Sequence, residues 1–152
     1  MRKGELLNFR EYEKECKKIR SDNEEYLGIF QSELINKDLS ERTIRSHLNN
    51  VDFYINTFLL REESIPMNQG CWYVDMFLGD FFIRKCMWST PSSIKSTASS
   101  LKKFYKCMLE HNKVEKEDYT VFTEIIKDNM EEWLDDCRQY NDPNQDNPFY
   151  PF

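Results

Sequence analysis

Leu39-Ser40-Glu41-Arg42-Thr43-Ile44-Arg45-Ser46-His47-Leu48-Asn49-Asn50-Val51-Asp52-Phe53-Tyr54-Ile55-Asn56-Thr57-Phe58 is the most regular stretch of the chain. Ile44, Leu48, Val51, Ile55 and Phe58 recur at spacings of 4, 3, 4 and 3, which places them on one stripe of an α-helix. Ser40 stands just before the stripe, where a hydroxyl can accept from a free backbone N–H of the first turn. This predicts a helix from Ser40 that runs unbroken towards Pro66.

Working outward, the same period returns on both sides. Phe9, Tyr12, Cys16 and Ile19 predict a first helix, and Ser21-Asp22-Asn23-Glu24 has the Ser-x-x-Glu form of a capping box. A separate second helix is therefore expected from about residue 22 to near Asn36, burying Leu27, Phe30 and Leu34. Beyond the connector Met67-Asn68-Gln69-Gly70, a very apolar helix is expected from about Trp72 to Met87, with Val74, Phe77, Leu78, Phe81 and Phe82 facing inward. Thr90-Pro91 sets a capping hydroxyl before a proline in the first turn, and Ile94, Ala98, Leu101, Tyr105 and Met108 follow to a stop near Asn112. A last helix, about Asp118 to Tyr140, buries Tyr119, Phe122, Ile126, Met130, Trp133 and Cys137. No stretch alternates as a strand would. The expected architecture is all-α, a single irregular or orthogonal bundle of about six helices over residues 1–140, with 141–152 as an irregular tail holding three of the chain's 5 prolines.

Composition supports a packed domain over a disordered one: hydrophobic residues are 39% of the 152, charged residues 32%, and glycine and proline number only 4 and 5. No apolar run has the length of a signal peptide or a bilayer span, so a cytoplasmic protein with no membrane partner is expected. Cys16, Cys71, Cys86, Cys107 and Cys137 are odd in number, widely spaced and never form C-x-x-C, which leaves disulfide and zinc sites without sequence support and predicts reduced, largely buried thiols.

Catalytic chemistry finds little material. His47 and His111 are the only imidazoles; one lies beside an apolar stripe and the other at a predicted helix C-terminus, where it suits a cap. The glycines, at positions 4, 28, 70 and 79, are too dispersed for a phosphate loop. Paired acids such as Glu131-Glu132 and Asp135-Asp136 fit a solvated helix face. No enzyme activity, catalytic residue, metal or cofactor is expected.

Charge is unevenly distributed. Residues 92–113 carry 5 basic and 1 acidic side chains, net +4, whereas 114–152 carry 3 and 11, net −8, within a chain of net −6. On the helix after Pro91, Lys95, Ser99, Lys102 and Lys106 lie opposite the apolar stripe with Lys103 alongside, and small hydroxyls at Ser96, Ser99 and Ser100 leave room for a phosphate backbone. The same lysines would also suit an ordinary solvated face. Near the start of the helix after Ser40, Arg42 and Arg45 sit three apart and Asn49 continues their face; forked Arg and Asn side chains match guanine and adenine edges.

Two of these helices also resemble a known family. Leu39-Ser40-Glu41-Arg42-Thr43-Ile44, continuing to Leu48, Val51 and Phe53, resembles the second helix of the core-binding (SAM-like) domain of tyrosine recombinases and phage integrases, where a leucine-serine-x-x-threonine-isoleucine opening is frequent. Ala98-Ser99-Ser100-Leu101-Lys102-Lys103-Phe104-Tyr105-Lys106, through Leu109 to Val114, resembles that domain's fourth helix, with Asn112 where the family has glycine. The likeness covers about residues 22–114. It implies half of a C-shaped clamp on duplex DNA, with Arg42, Arg45, Lys95, Ser99, Lys102 and Lys103 towards the DNA. The residues after Val114 offer no Arg, His, Lys and Tyr constellation for strand cleavage, so a DNA-binding module of a mobile element without a catalytic domain is expected. In place of the family's interdomain linker stands the acidic helix 115–140, which could screen the lysines or dock a basic protein through residues 115–136. A protein-interaction module using that acidic helix is the alternative reading.

Overall fold

The computed structural model describes residues 3–143, and every regular element among them is helical, six of them α-helices. They fall into two compact units that divide between Gly70 and Cys71.

In the first unit, α1 (Lys3–Asn36) runs unbroken for 34 residues, about 50 Å at 1.5 Å per residue. The expected pair of helices with a start at the Ser21–Glu24 box is thus corrected to one. The reason is tertiary. Asn23 is wholly buried, and its Nδ2 donates to the Ile55 carbonyl at 3.3 Å and to Asn56 Oδ1 at 2.7 Å. A continuous helix also carries Cys16, Phe30 and Leu34 into the core together, whereas Phe9 stays exposed. A cap contributes about 1 kcal/mol, less than the burial of several large side chains. Asp38, in the left-handed region at φ 60°, follows the helix end.

The helix after Ser40 begins as expected. Its backbone N–H at Thr43 donates to Ser40 Oγ at 3.2 Å, and α2 spans Glu41–Asp52. It does not continue as an α-helix towards Pro66. A π-helical turn, Phe53–Phe58, takes over and ends at Leu59. The wider turn lets Tyr54, Ile55, Phe58, Leu59 and Leu60 all be buried, more than one α-helical stripe could bury. Ile55's carbonyl, within that turn, is the one Asn23 satisfies. Tyr54 Oη donates to Gly70 O at 2.6 Å, and Tyr12 Oη donates to the Leu60 carbonyl.

A 3-10 turn, Met67–Trp72, occupies the expected connector and leads into the second unit. There α3 (Val74–Met76), a π turn (Phe77–Phe81) and α4 (Phe82–Lys85) form one short helical run, two residues shorter at each end than expected. Gly79 permits that π turn to meet α6: a Cβ at residue 79 would lie 2.6 Å from Trp133 Nε1 and 2.9 Å from Asp75 Oδ1. The indole Nε1 of Trp133 donates to Asp75 Oδ1 at 2.7 Å, so the buried ring is satisfied at the point of closest approach.

Two long helices complete the unit, α5 (Pro91–Glu110) and α6 (Lys116–Asn141). Thr90 and Ser93 cap α5 reciprocally, and Pro91 stands in the first turn. Asn112 adopts φ 60° just beyond the helix, as its tolerance of left-handed backbone predicts. The expected apolar stripe of α5 is buried throughout, and Tyr105 meets Phe122 of α6 at 4.7 Å between ring centroids. The tail expected over 141–152 lies, from residue 144 on, outside the described residues.

Candidate nucleic-acid interface

Within the second unit, the expected basic residues of α5 share one open face. Lys95, Ser99, Lys102, Lys103 and Lys106 are all exposed. At 100° per residue they occupy an arc of about 100°, and Lys95 and Lys106 stand about 16 Å apart along the axis. Buried Ile94, Ala98, Leu101, Phe104, Tyr105 and Met108 fill the opposite side, where α6 packs. Four ammonium groups thus point away from the acidic helix.

Among the described residues, none of those four lysines has an ion-pair or hydrogen-bond partner, whereas Arg84 pairs with Asp80 at 3.3 Å and Arg138 with Asp135 at 2.8 Å. The carboxylates of α6 are engaged elsewhere or face water. Asp118 accepts from Trp72 Nε1 at 3.0 Å, and the Asp136 carboxyl is pushed above its usual range by partial burial, then by Glu132 and Asp135 beside it. Like charges crowd on α6 while α5 keeps its own uncompensated charge of the opposite sign.

Ser100 departs from the expected picture. It is fully buried and its Oγ donates back to the Ser96 carbonyl at 3.2 Å, so its hydroxyl cannot reach a phosphate. Ser96 and Ser99 remain exposed and small, which leaves the lysines room to approach a flat or convex polyanion.

No protein-family model, curated protein or solved structure matches the chain.

In the first unit, Arg42, Arg45 and Asn49 lie exposed along α2, and none of them has a partner among the described residues. Arg45 and Asn49 line a cleft between the end of α1 and α2 together with the apolar Ile35, Leu39, Ile44 and Leu48. His47 is half-buried beside the apolar stripe, and His111 closes α5 with Nδ1 2.9 Å from the Cys107 carbonyl, so both have the structural places their positions predicted.

The five thiols are free and buried. Burial pushes Cys71 up to about 12, with Asp118 adding to it, and burial pushes Cys86 up to about 11, so neither is an activated nucleophile. Among the described residues no group of three His, Cys, Asp or Glu is placed to hold a metal ion, and no helix is long and apolar enough to cross a membrane. Sequence reasoning overlooked one surface feature, the exposed Met87-Trp88 turn ahead of α5. Its signal was available: two large apolar residues between Arg84-Lys85 and the Thr90-Pro91 cap, outside any apolar stripe.

Proposed function

We propose that this chain is a non-catalytic module that binds duplex DNA, and that the lysine face of α5 is its principal contact. The observation that carries this reading is the open face itself: Lys95, Lys102, Lys103 and Lys106 in one arc, with no partner among the described residues and with α6 packed on the other side. Unpaired, parallel ammonium groups on a helix repel one another, and a row of phosphates relieves that repulsion while releasing condensed counterions. Lysines act as point charges that hold a backbone without reading sequence. The exposed Arg42, Arg45 and Asn49 of α2 have the forked geometry for base edges and would supply what sequence preference there is. The resemblance to the recombinase core-binding domain supports the same assignment, and by that resemblance the module would modulate recombination or transcription at a mobile element.

The test is duplex binding by fluorescence anisotropy across a salt series. If each of the four lysines neutralises one phosphate, the log–log slope is about −3.6, and affinity falls about 150-fold between 50 and 200 mM salt. Lys102→Ala should weaken all duplexes alike and reduce the slope by about one contact. Absence of salt-sensitive binding at low ionic strength, or unchanged binding after all four lysines are replaced with alanine, refutes the reading.

A further inference from the structure

Met87 and Trp88 stand in the turn between α4 and α5 with their side chains in water, Met87 101% exposed and Trp88 59%. The turn that holds them out is tightly braced. Cys86 N–H donates to the Phe82 carbonyl at 3.3 Å, and Ser89 N–H donates to the Cys86 carbonyl at 3.1 Å. Ser89 Oγ donates to the Ile83 carbonyl at 3.3 Å, and the Ser89 carbonyl accepts from Asn141 Nδ2 at 3.0 Å. The Trp88 carbonyl accepts from Ser93 Oγ at 3.2 Å, while its indole lies edge-on to Phe82 with centroids 6.3 Å apart. Met87, wholly in water, adds no packing of its own, and Trp88 leaves more than half of its surface in water beside Phe82. That exposed area is removed from water only against a partner.

Charge selects the partner. From Arg84 to Leu109 the chain holds six basic residues and no acidic one, within a protein of net −6. Lys85 and the α5 lysines in that stretch are exposed and have no partner among the described residues. A polyanion with an apolar interior fits a cationic surface that ends in an apolar tip, and duplex DNA has that character: charged backbone outside, stacked bases within. The tip sits at the N-terminal end of α5. From the Thr90 cap to Lys106 is about 24 Å of helix, or about seven base-pair steps of 3.4 Å. The turn therefore lies just ahead of Lys95, the first lysine of the face, and would meet one end of a duplex contact made by α5.

We propose that Met87 and Trp88 form an apolar wedge that enters the base stack of the duplex held by the α5 lysines. This deepens the DNA-binding reading and rests on it. Methionine and other apolar side chains inserted between base steps unstack them locally, at a cost that falls where stacking is already weak.

The experiment uses the full chain and two labelled duplexes of about 20 base pairs, one fully matched and one with a single central mismatch. Wild-type protein should prefer the mismatched duplex by about fivefold or more. Met87→Ser, at a side chain that packs on nothing, should abolish that preference without altering the salt slope, because methionine displaces no counterion. Trp88→Ser should do the same, with thermal melts confirming that both variants stay folded. Lys102→Ala should behave oppositely, changing the slope and keeping the preference. Equal wild-type binding to both duplexes, with Met87→Ser indistinguishable from it, overturns the wedge and leaves the DNA reading standing. Wild-type protein that binds neither duplex in a salt-dependent way removes the DNA reading and the wedge with it. Loss of binding to phosphatidylcholine–phosphatidylserine vesicles in Met87→Ser, with duplex binding untouched, reassigns the turn to lipid and also overturns the wedge.

Discussion

Gly79→Ala tests the packing on which the second unit depends. A methyl group at residue 79 would sit 2.6 Å from Trp133 Nε1, 2.7 Å from Trp133 Cδ1 and 2.9 Å from Asp75 Oδ1, all well inside contact distance. Trp133 is 1% exposed, so the indole can yield only by displacing its neighbours, and it loses the 2.7 Å bond to Asp75 as it moves. Overpacking of this kind costs about 1–3 kcal/mol. Loss of the hydrogen bond to a carboxylate adds about 1.5–3 kcal/mol, and alanine's better helix propensity returns at most about 1 kcal/mol. A net loss of about 2–4 kcal/mol is expected, read as a lower urea midpoint at unchanged slope by far-UV circular dichroism. In a Trp133→Leu background, which removes the indole ring and its bond to Asp75, the same substitution should cost at least about 1 kcal/mol less. Gly79→Ala as stable as wild type would refute the reasoning, since propensity would then outweigh a contact that the structure makes prohibitive.

Asn23→Ala should destabilise the first unit by about 1–3 kcal/mol, because the buried Ile55 carbonyl and the half-buried Asn56 Oδ1 lose their donor; urea unfolding reads it. Thr90→Ala removes the hydroxyl that accepts from Ser93 N–H at 3.0 Å and should lower stability by about 1 kcal/mol; an unchanged melt would mean that Pro91 and the Ser93 half of the cap suffice to set the start of α5. On the alkaline side, Cys71 and Cys86 are raised by burial from the ordinary 9.0 to about 12 and about 11. The native protein therefore holds protons that the unfolded chain releases, so their contribution is complete below about pH 9 and is lost as pH rises through 11 to 12. Urea midpoints should fall over that range, by less in Cys71→Ala once its lower starting stability is subtracted.

The helix starts at Ser40 and Thr90-Pro91, the stop at Asn112 and the lysine face of α5 were all legible in the sequence, because each depends on residues within about one or two turns of each other. The cationic face needed only the 3.6-residue period and the buried stripe opposite it. Ser21-Asp22-Asn23-Glu24 shows where local reading ends. Its capping pattern is genuine, yet Asn23 is held in mid-helix by a carbonyl and a side-chain amide 32 and 33 residues away, and no spacing rule encodes that contact. The two π turns have the same origin. Burying Tyr54 with Ile55 and Phe58, or bringing Gly79 against Trp133, widens the helix for the sake of partners distant in sequence. The fate of the lysines, too, was decided by packing. The net −8 of the C-terminal segment could equally have covered them or left them open, and it is the burial of Phe122, Ile126 and Trp133 that turns α6 to the apolar side of the unit. Periodicity and capping record short-range sterics and solvation; which face meets which neighbour follows from close packing of large side chains, settled only when the whole chain folds.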